Sequence, residues 1–131
     1  MKENKACKKL IVWQNAKNLR KLIYDITARF LRREYRRVSQ MRDAARSVKQ
    51  NIQEGYVRGK IGEYIQYLRI SRGSLSELDG DIEDCFEDKL INQGEFDQLI
   101  EICNKTDYLL NRLIFALEKK RKDGTWKNYF Q

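Results

Sequence analysis

The sequence predicts an all-α protein, an antiparallel up-down-up-down four-helix bundle. Three observations predict it. The 131 residues contain no proline, which sandwiches, barrels and long ordered loops normally use in their turns. Four segments carry apolar residues at spacings of three and four, the period of one helical face. The stretches between them are short, and short connections make sequential helices antiparallel neighbours. The length suits one domain with one core, residues 1–131.

Helix 1 is expected over about residues 8–30. Trp13, Ala16, Leu19, Ile23, Ile26 and Phe30 share one face, with Lys17, Arg20 and Lys21 on the other side. Trp13 reads as a core anchor near a helix end. Arg29 to Arg37 (RFLRREYRR) then holds five arginines. Such a turn can clamp phosphates with bidentate forks, or be a solvated connection paired with acidic neighbours.

Helix 2 is expected over about residues 39–57, with Ser39 as a good N-cap. Val38, Met41, Ala45, Val48 and Ile52 form its apolar stripe. Ala44, Ser47, Asn51 and Gly55 form a second stripe of small or short polar residues, which lets another helix approach closely. Arg42, Arg46 and Lys49 lie at i, i+4 and i+7 on a third face, where they repel unless an anion lies opposite. Gly55 and Gly59 suit termination and a short turn.

Helix 3 is expected over about residues 60–88, on the repeat of Ile61, Tyr64, Leu68, Ser71, Leu75, Leu78, Ile82 and Cys85. Gly73 and Gly80 interrupt it at about 1 kcal/mol each relative to alanine, which suggests close backbone approach or a bend. Asn92 to Glu95 reads as a capping box that opens helix 4, about residues 93–122. Its stripe is Phe96, Leu99, Cys103, Thr106, Leu110, Leu113 and Leu117. The basic tail over 119–131 ends the helix at Gly124, and its aromatics Trp126, Tyr129 and Phe130 are expected to pack back on the chain or on a neighbouring subunit.

Composition narrows the function. Hydrophobic residues are 41% and charged residues 35%, too apolar for disorder. No apolar run is long enough to cross a membrane. The basic N-terminus is not followed by the apolar core and cleavage site of a signal peptide, so a cytoplasmic protein is expected. Cys7, Cys85 and Cys103 are widely separated, which suits a reducing compartment and argues against a metal site. Histidine is absent, which removes Ser-His-Asp and Cys-His pairs and zinc–histidine sites. No enzymatic activity, cofactor or metal is expected.

Net charge is +8, which favours a polyanion partner, RNA or DNA. The charge is uneven. Residues 77–107 carry eleven acids and two bases, whereas residues 29–72 carry twelve bases and four acids. Up-down-up-down topology puts the acidic block at the same end as the arginine-rich turn. The other end gathers Lys2, Lys5, Lys8, Lys9, Arg58, Lys60, Lys119, Lys120, Arg121 and Lys122, and is the expected polyanion site. The nucleic-acid-binding candidates are Arg42, Arg46, Lys49, Arg58, Lys60 and Lys119 to Lys122.

A second group, Asn51, Glu54, Arg72, Ser74 and Glu77, could imitate an active site. A buried polar network is the simpler reading, because such groups need partners when a helix interface removes their water. Asn51, Glu54, Ser74 and Glu77 are expected to form contacts between helices 2 and 3 or across subunits.

Leu10 to Ala16 (LIVWQNA), Tyr24 to Phe30 (YDITARF), Ser39 to Arg42 (SQMR), Asn51 to Gly55 (NIQEG) and Leu68 to Leu78 (LRISRGSLSEL) resemble a bacterial four-helix-bundle family. It includes the proteins encoded in 23S ribosomal RNA intervening sequences and is related to the accessory variability determinants of diversity-generating retroelements. The chain departs from that family at Leu31 and Lys49, where proline is usual, and at Asp43, where a second arginine is usual. The resemblance implies a homopentamer with a basic surface, no catalysis, and in the retroelement branch association with a reverse transcriptase and nucleic acid. The function expected is thus a non-catalytic oligomeric nucleic-acid-binding accessory protein. The alternative is a protein-interaction scaffold whose basic charge is incidental.

Overall fold

A computed structural model describes residues 6–126; Lys2, Lys5, Tyr129 and Phe130 lie outside the described residues. Four α-helices form the bundle among them: α1 (Ile11–Thr27), α2 (Tyr35–Arg58), α3 (Ile61–Glu87) and α4 (Gln93–Asp123). A single 3-10 turn, Arg32–Glu34, joins α1 to α2. Each helix packs on its sequence neighbours, and α4 closes the ring on α1.

The core comes from one stripe per helix. Trp13, Ala16, Leu19, Ile23 and Ile26 meet Met41, Ala45, Val48 and Ile52, then Tyr64, Leu68, Leu75, Leu78, Ile82 and Cys85, then Leu99, Cys103, Leu110 and Leu117. Near the end of α4 the buried position is Ile114, and Leu113 is only half-buried. A strict seven-residue repeat selects Leu113; a straight helix of 3.6 residues per turn drifts past it. All three cysteines are free and buried. Burial raises the Cys7 thiol to about 11 and the Cys103 thiol to about 12, so both behave as small apolar groups.

The helix ends differ from the sequence reading in informative ways. Helix α1 begins at Ile11 rather than near residue 8, because Leu10 is extended (φ −69°, ψ 131°) after a turn in which its amide bonds Cys7 O at 2.9 Å. It ends at Thr27 rather than Phe30: the Phe30 amide bonds Thr27 O in a tightened i→i+3 turn. Helix α2 starts at Tyr35, four residues before the expected Ser39 cap. The Arg32–Glu34 turn leads directly into it, and Glu34 at its N-cap pairs with Arg37 at 3.2 Å, placing negative charge where the helix dipole favours it. Ser39 is an exposed residue inside the helix.

Helix α3 is capped by Asp88 and followed by Lys89, whose φ of +62° is left-handed. The Leu90 amide reaches back to Cys85 O at 2.9 Å and the Lys89 amide to Phe86 O at 3.1 Å, the pattern of a Schellman cap. Helix α4 opens on the expected capping box: Asn92 accepts from the Glu95 amide at 2.8 Å, and Glu95 from the Asn92 amide at 3.0 Å. It ends at Gly124, also left-handed (φ +68°).

Two bundle ends follow. At one, Arg29 of the α1–α2 connection pairs with Glu95 and donates to Leu90 O at 3.0 Å, while Arg37 pairs with Asp88 at 2.8 Å. The acidic and arginine-rich turns therefore offset each other within one chain. At the other end, Trp126 packs 6.2 Å from Tyr64, ring to ring, and donates its indole N–H to Gly59 O at 3.0 Å. The tail tryptophan thus folds back on its own chain.

Candidate nucleic-acid interface

The polar group on α2 and α3 resolves into contacts of different kinds. Gly55 sits where α2 and α3 pack tightly. A Cβ there would stand 2.8 Å from Tyr67 Cβ and 3.2 Å from Tyr64 O. Ser74 and Ser47 share a hydrogen bond of 2.7 Å across the interface. Asn51 donates to Ser47 Oγ at 2.9 Å and to Ser47 O at 2.8 Å, so it supports that bond from within α2. Ser71, fully buried, donates to Val48 O at 2.7 Å. Glu77 accepts from Gln40 at 3.4 Å.

Two members of the group do not join this interface. Glu54 is exposed and pairs with Arg58 one turn along its own helix, at 3.0 Å. Arg72 points the other way and donates to Asn111 of α4 at 2.9 Å. The spacing that puts Arg72 near Ser74 in sequence sends it around the helix, because residues two apart do not share a face. Gly73 and Gly80 also part from expectation: nothing lies within 4 Å of a Cβ at either, so neither marks close approach within the chain.

The basic candidates divide as well. Arg42 is half-buried and turns inward. Its guanidinium donates to Thr27 Oγ1 at 3.1 Å and to Tyr24 O at 3.3 Å, capping the end of α1, and lies 4.5 Å from the Tyr24 ring centre. It does not share the open face of Arg46 and Lys49. At the terminal end, Arg58 is held by Glu54 and by Tyr67 Oη, 2.9 Å away, and Arg121 by Glu118 at 2.7 Å. Lys60, Lys119, Lys120 and Lys122 are exposed there.

Lys49 belongs to a different assembly. A groove of about 780 Å³ runs between α1 and α2, lined by Lys8, Trp13, Lys17, Arg20 and Lys49 with the amides of Gln14, Asn18, Gln50 and Gln53. Four cations line it and no carboxylate does. The Lys49 ammonium is pushed below its ordinary value, first by burial and then by the charges of Arg20, Arg46, Lys17 and Lys8. Burial is the largest cause of that depression, and the neighbouring positive charges add to it. Arg20, on the same groove, has a buried Nε with no hydrogen-bond partner among the described residues.

The tryptophan in the groove is not an open stacking surface. It is 6% exposed, its N–H donates to Gln53 at 3.3 Å, and the ammoniums of Lys17 and Lys49 stand 5.8 and 5.9 Å from its ring centre. It anchors the core and gives the two lysines a cation–π seat. The groove therefore offers charge and amide donors.

Lys17 and Arg20 were not among the sequence candidates, and Lys8 was placed only with the basic terminal end. Their periodicity puts Lys17 and Arg20 on the outer face of α1. Only packing reveals that this face borders the outer face of α2, so that cations more than twenty residues apart line one groove. The charge surplus of both segments was the available signal.

Comparison with known proteins gives a family match. The family described as 23S rRNA-intervening sequence protein matches over residues 8–112. No curated protein matches the chain.

Proposed function

Because the chain belongs to the 23S rRNA-intervening sequence protein family, we propose that it is a non-catalytic, oligomeric accessory protein that binds nucleic acid through the α1–α2 groove. The observation that carries this reading is the concentration of Lys8, Lys17, Arg20 and Lys49 around one groove without a carboxylate in its lining. Such a cluster is destabilising in the free protein and is relieved by a polyanion. Lys60, Lys119, Lys120 and Lys122 extend the basic surface at the terminal end, and RNA and DNA are both candidate ligands. Fluorescence anisotropy with duplex DNA and with RNA at two salt concentrations tests it. Binding that weakens steeply with salt is expected; no binding at low salt would sink the reading.

A second reading, a homopentameric scaffold that docks a partner such as a reverse transcriptase, draws on the apolar surface. Ile11, Leu31, Tyr35, Tyr108 and Phe115 are all more than half exposed, Phe115 by 75%. Light scattering measures the assembly state. A pull-down of the partner that survives nuclease treatment would favour the scaffold over the nucleic-acid reading.

A further inference from the structure

Two guanidiniums lie against the ring of Tyr24, and they are used differently. Arg42 is 4.5 Å from the ring centre and spends its donors on Thr27 Oγ1 and Tyr24 O. Arg20 is 4.3 Å from the same centre, lines the groove, and leaves its buried Nε without a partner among the described residues. A buried donor on a charged group is costly to leave unmatched. The ring restricts the guanidinium, so its donors are set before any ligand arrives.

Lys49 lines the same groove, and Arg20 is the charge that weighs most on its ammonium. A planar fork and a point charge line this one groove, together with the amides of Gln14, Asn18 and Gln50. This donor set suits a tetrahedral oxyanion: the fork takes two oxygens and the ammonium a third. A carboxylate has only two oxygens to offer.

We propose that Arg20 and Lys49 form a phosphate clamp in the α1–α2 groove, with Tyr24 as the positioning residue that holds Arg20. The clamp rests on the reading of the groove given above and assigns the ligand contacts to two of its residues. Its ligand is a phosphate oxyanion, from a nucleic-acid backbone or from a free pyrophosphate.

The test follows the Arg20 Nε–H resonance of the full chain by NMR as inorganic pyrophosphate or a mixed-sequence DNA duplex is added. Both should shift it. Arg20→Gln and Lys49→Gln should each weaken duplex binding about tenfold and lower the slope of log affinity against log salt by about 0.9, the value of one phosphate contact. Tyr24→Leu should weaken binding as Arg20→Gln does, whereas Tyr24→Phe, which keeps the ring, should bind within about twofold of the wild type. Duplex binding with unchanged affinity and slope in both glutamine variants would overturn the clamp and leave nucleic-acid binding standing elsewhere on the surface. A shift with pyrophosphate but no duplex binding would keep the clamp and overturn the nucleic-acid reading. An Arg20 signal that neither ligand moves would overturn the clamp outright.

Discussion

At the scale of single residues, Gly55 shows how one missing side chain sets a helix contact. A Cβ at that position meets the Cβ of Tyr67 at 2.8 Å and the backbone of Tyr64 at 3.2 Å, and neither can swing aside as the end of a long side chain could. Gly55→Ala should lower stability by about 1–3 kcal/mol through overpacking, against the small gain alanine normally brings to a helix interior. Urea unfolding measures it; an unchanged midpoint would show that α2 and α3 separate without cost. Ser71 makes the complementary point. It occupies a core position of α3, and its hydroxyl has a partner there only because Val48 O lies within 2.7 Å.

At the scale of elements, the α3–α4 turn holds two opposite choices. Its second residue after α3, Lys89, is left-handed without being glycine, a conformation that costs roughly 1 kcal/mol with a Cβ. Lys89→Gly should therefore stabilise the protein by up to about 1 kcal/mol, read as a raised Tm; a lowered Tm would contradict this account of the cap. Two residues inside α4, Glu95 closes the capping box and takes the Arg29 fork. The Arg29 hydrogen bonds, and after them the Asn92 amide, hold the Glu95 carboxyl below its ordinary value. Because the folded-state value is the lower one, its contribution is complete above the unfolded value of about 4.3. It fades as pH falls through the folded-state value. Thermal unfolding from pH 6 downward should thus show a steeper acid loss in the wild type than in Glu95→Gln, which keeps a capping side chain. Parallel curves would mean that Glu95 is unpaired in solution.

At the scale of the whole molecule, the charge of +8 is divided between paired and unpaired cations. Arg29, Arg37, Arg58, Arg69 and Arg121 have carboxylate partners. Lys8, Lys17, Arg20 and Lys49 face one another across a groove. Removing charge from the groove should then have opposite effects on stability and on binding. The double variant Lys17→Gln/Lys49→Gln is expected to gain about 0.5 kcal/mol at low salt, because like-charge repulsion is relieved, and to lose the gain at high salt. The same variant should bind nucleic acid more weakly with a shallower salt dependence. Denaturation and anisotropy at two ionic strengths check both halves. A variant that loses stability and keeps its affinity would show the groove to be structural. Among the described residues no helix is long and apolar enough to cross a membrane.

The sequence by itself determined the helices, because a helix is a local object: apolar spacing, the Asn92–Glu95 box and Gly124 are all read within a few residues. It also determined which ends of the bundle share charge, because four short-linked helices leave little choice of topology. It missed the start of α2, where the 3-10 turn around Glu34 replaced Ser39 as the opening; Glu34 makes no side-chain cap bond there and pairs with Arg37 instead. Only the tertiary structure decided which charged residues are free. Arg42, Arg46 and Lys49 look equivalent at i, i+4 and i+7, yet Arg42 is spent on the carbonyl end of α1 while Lys49 meets Arg20 and Lys17 across a groove. Whether a cation is satisfied depends on distances between helices, and no spacing along one helix contains them.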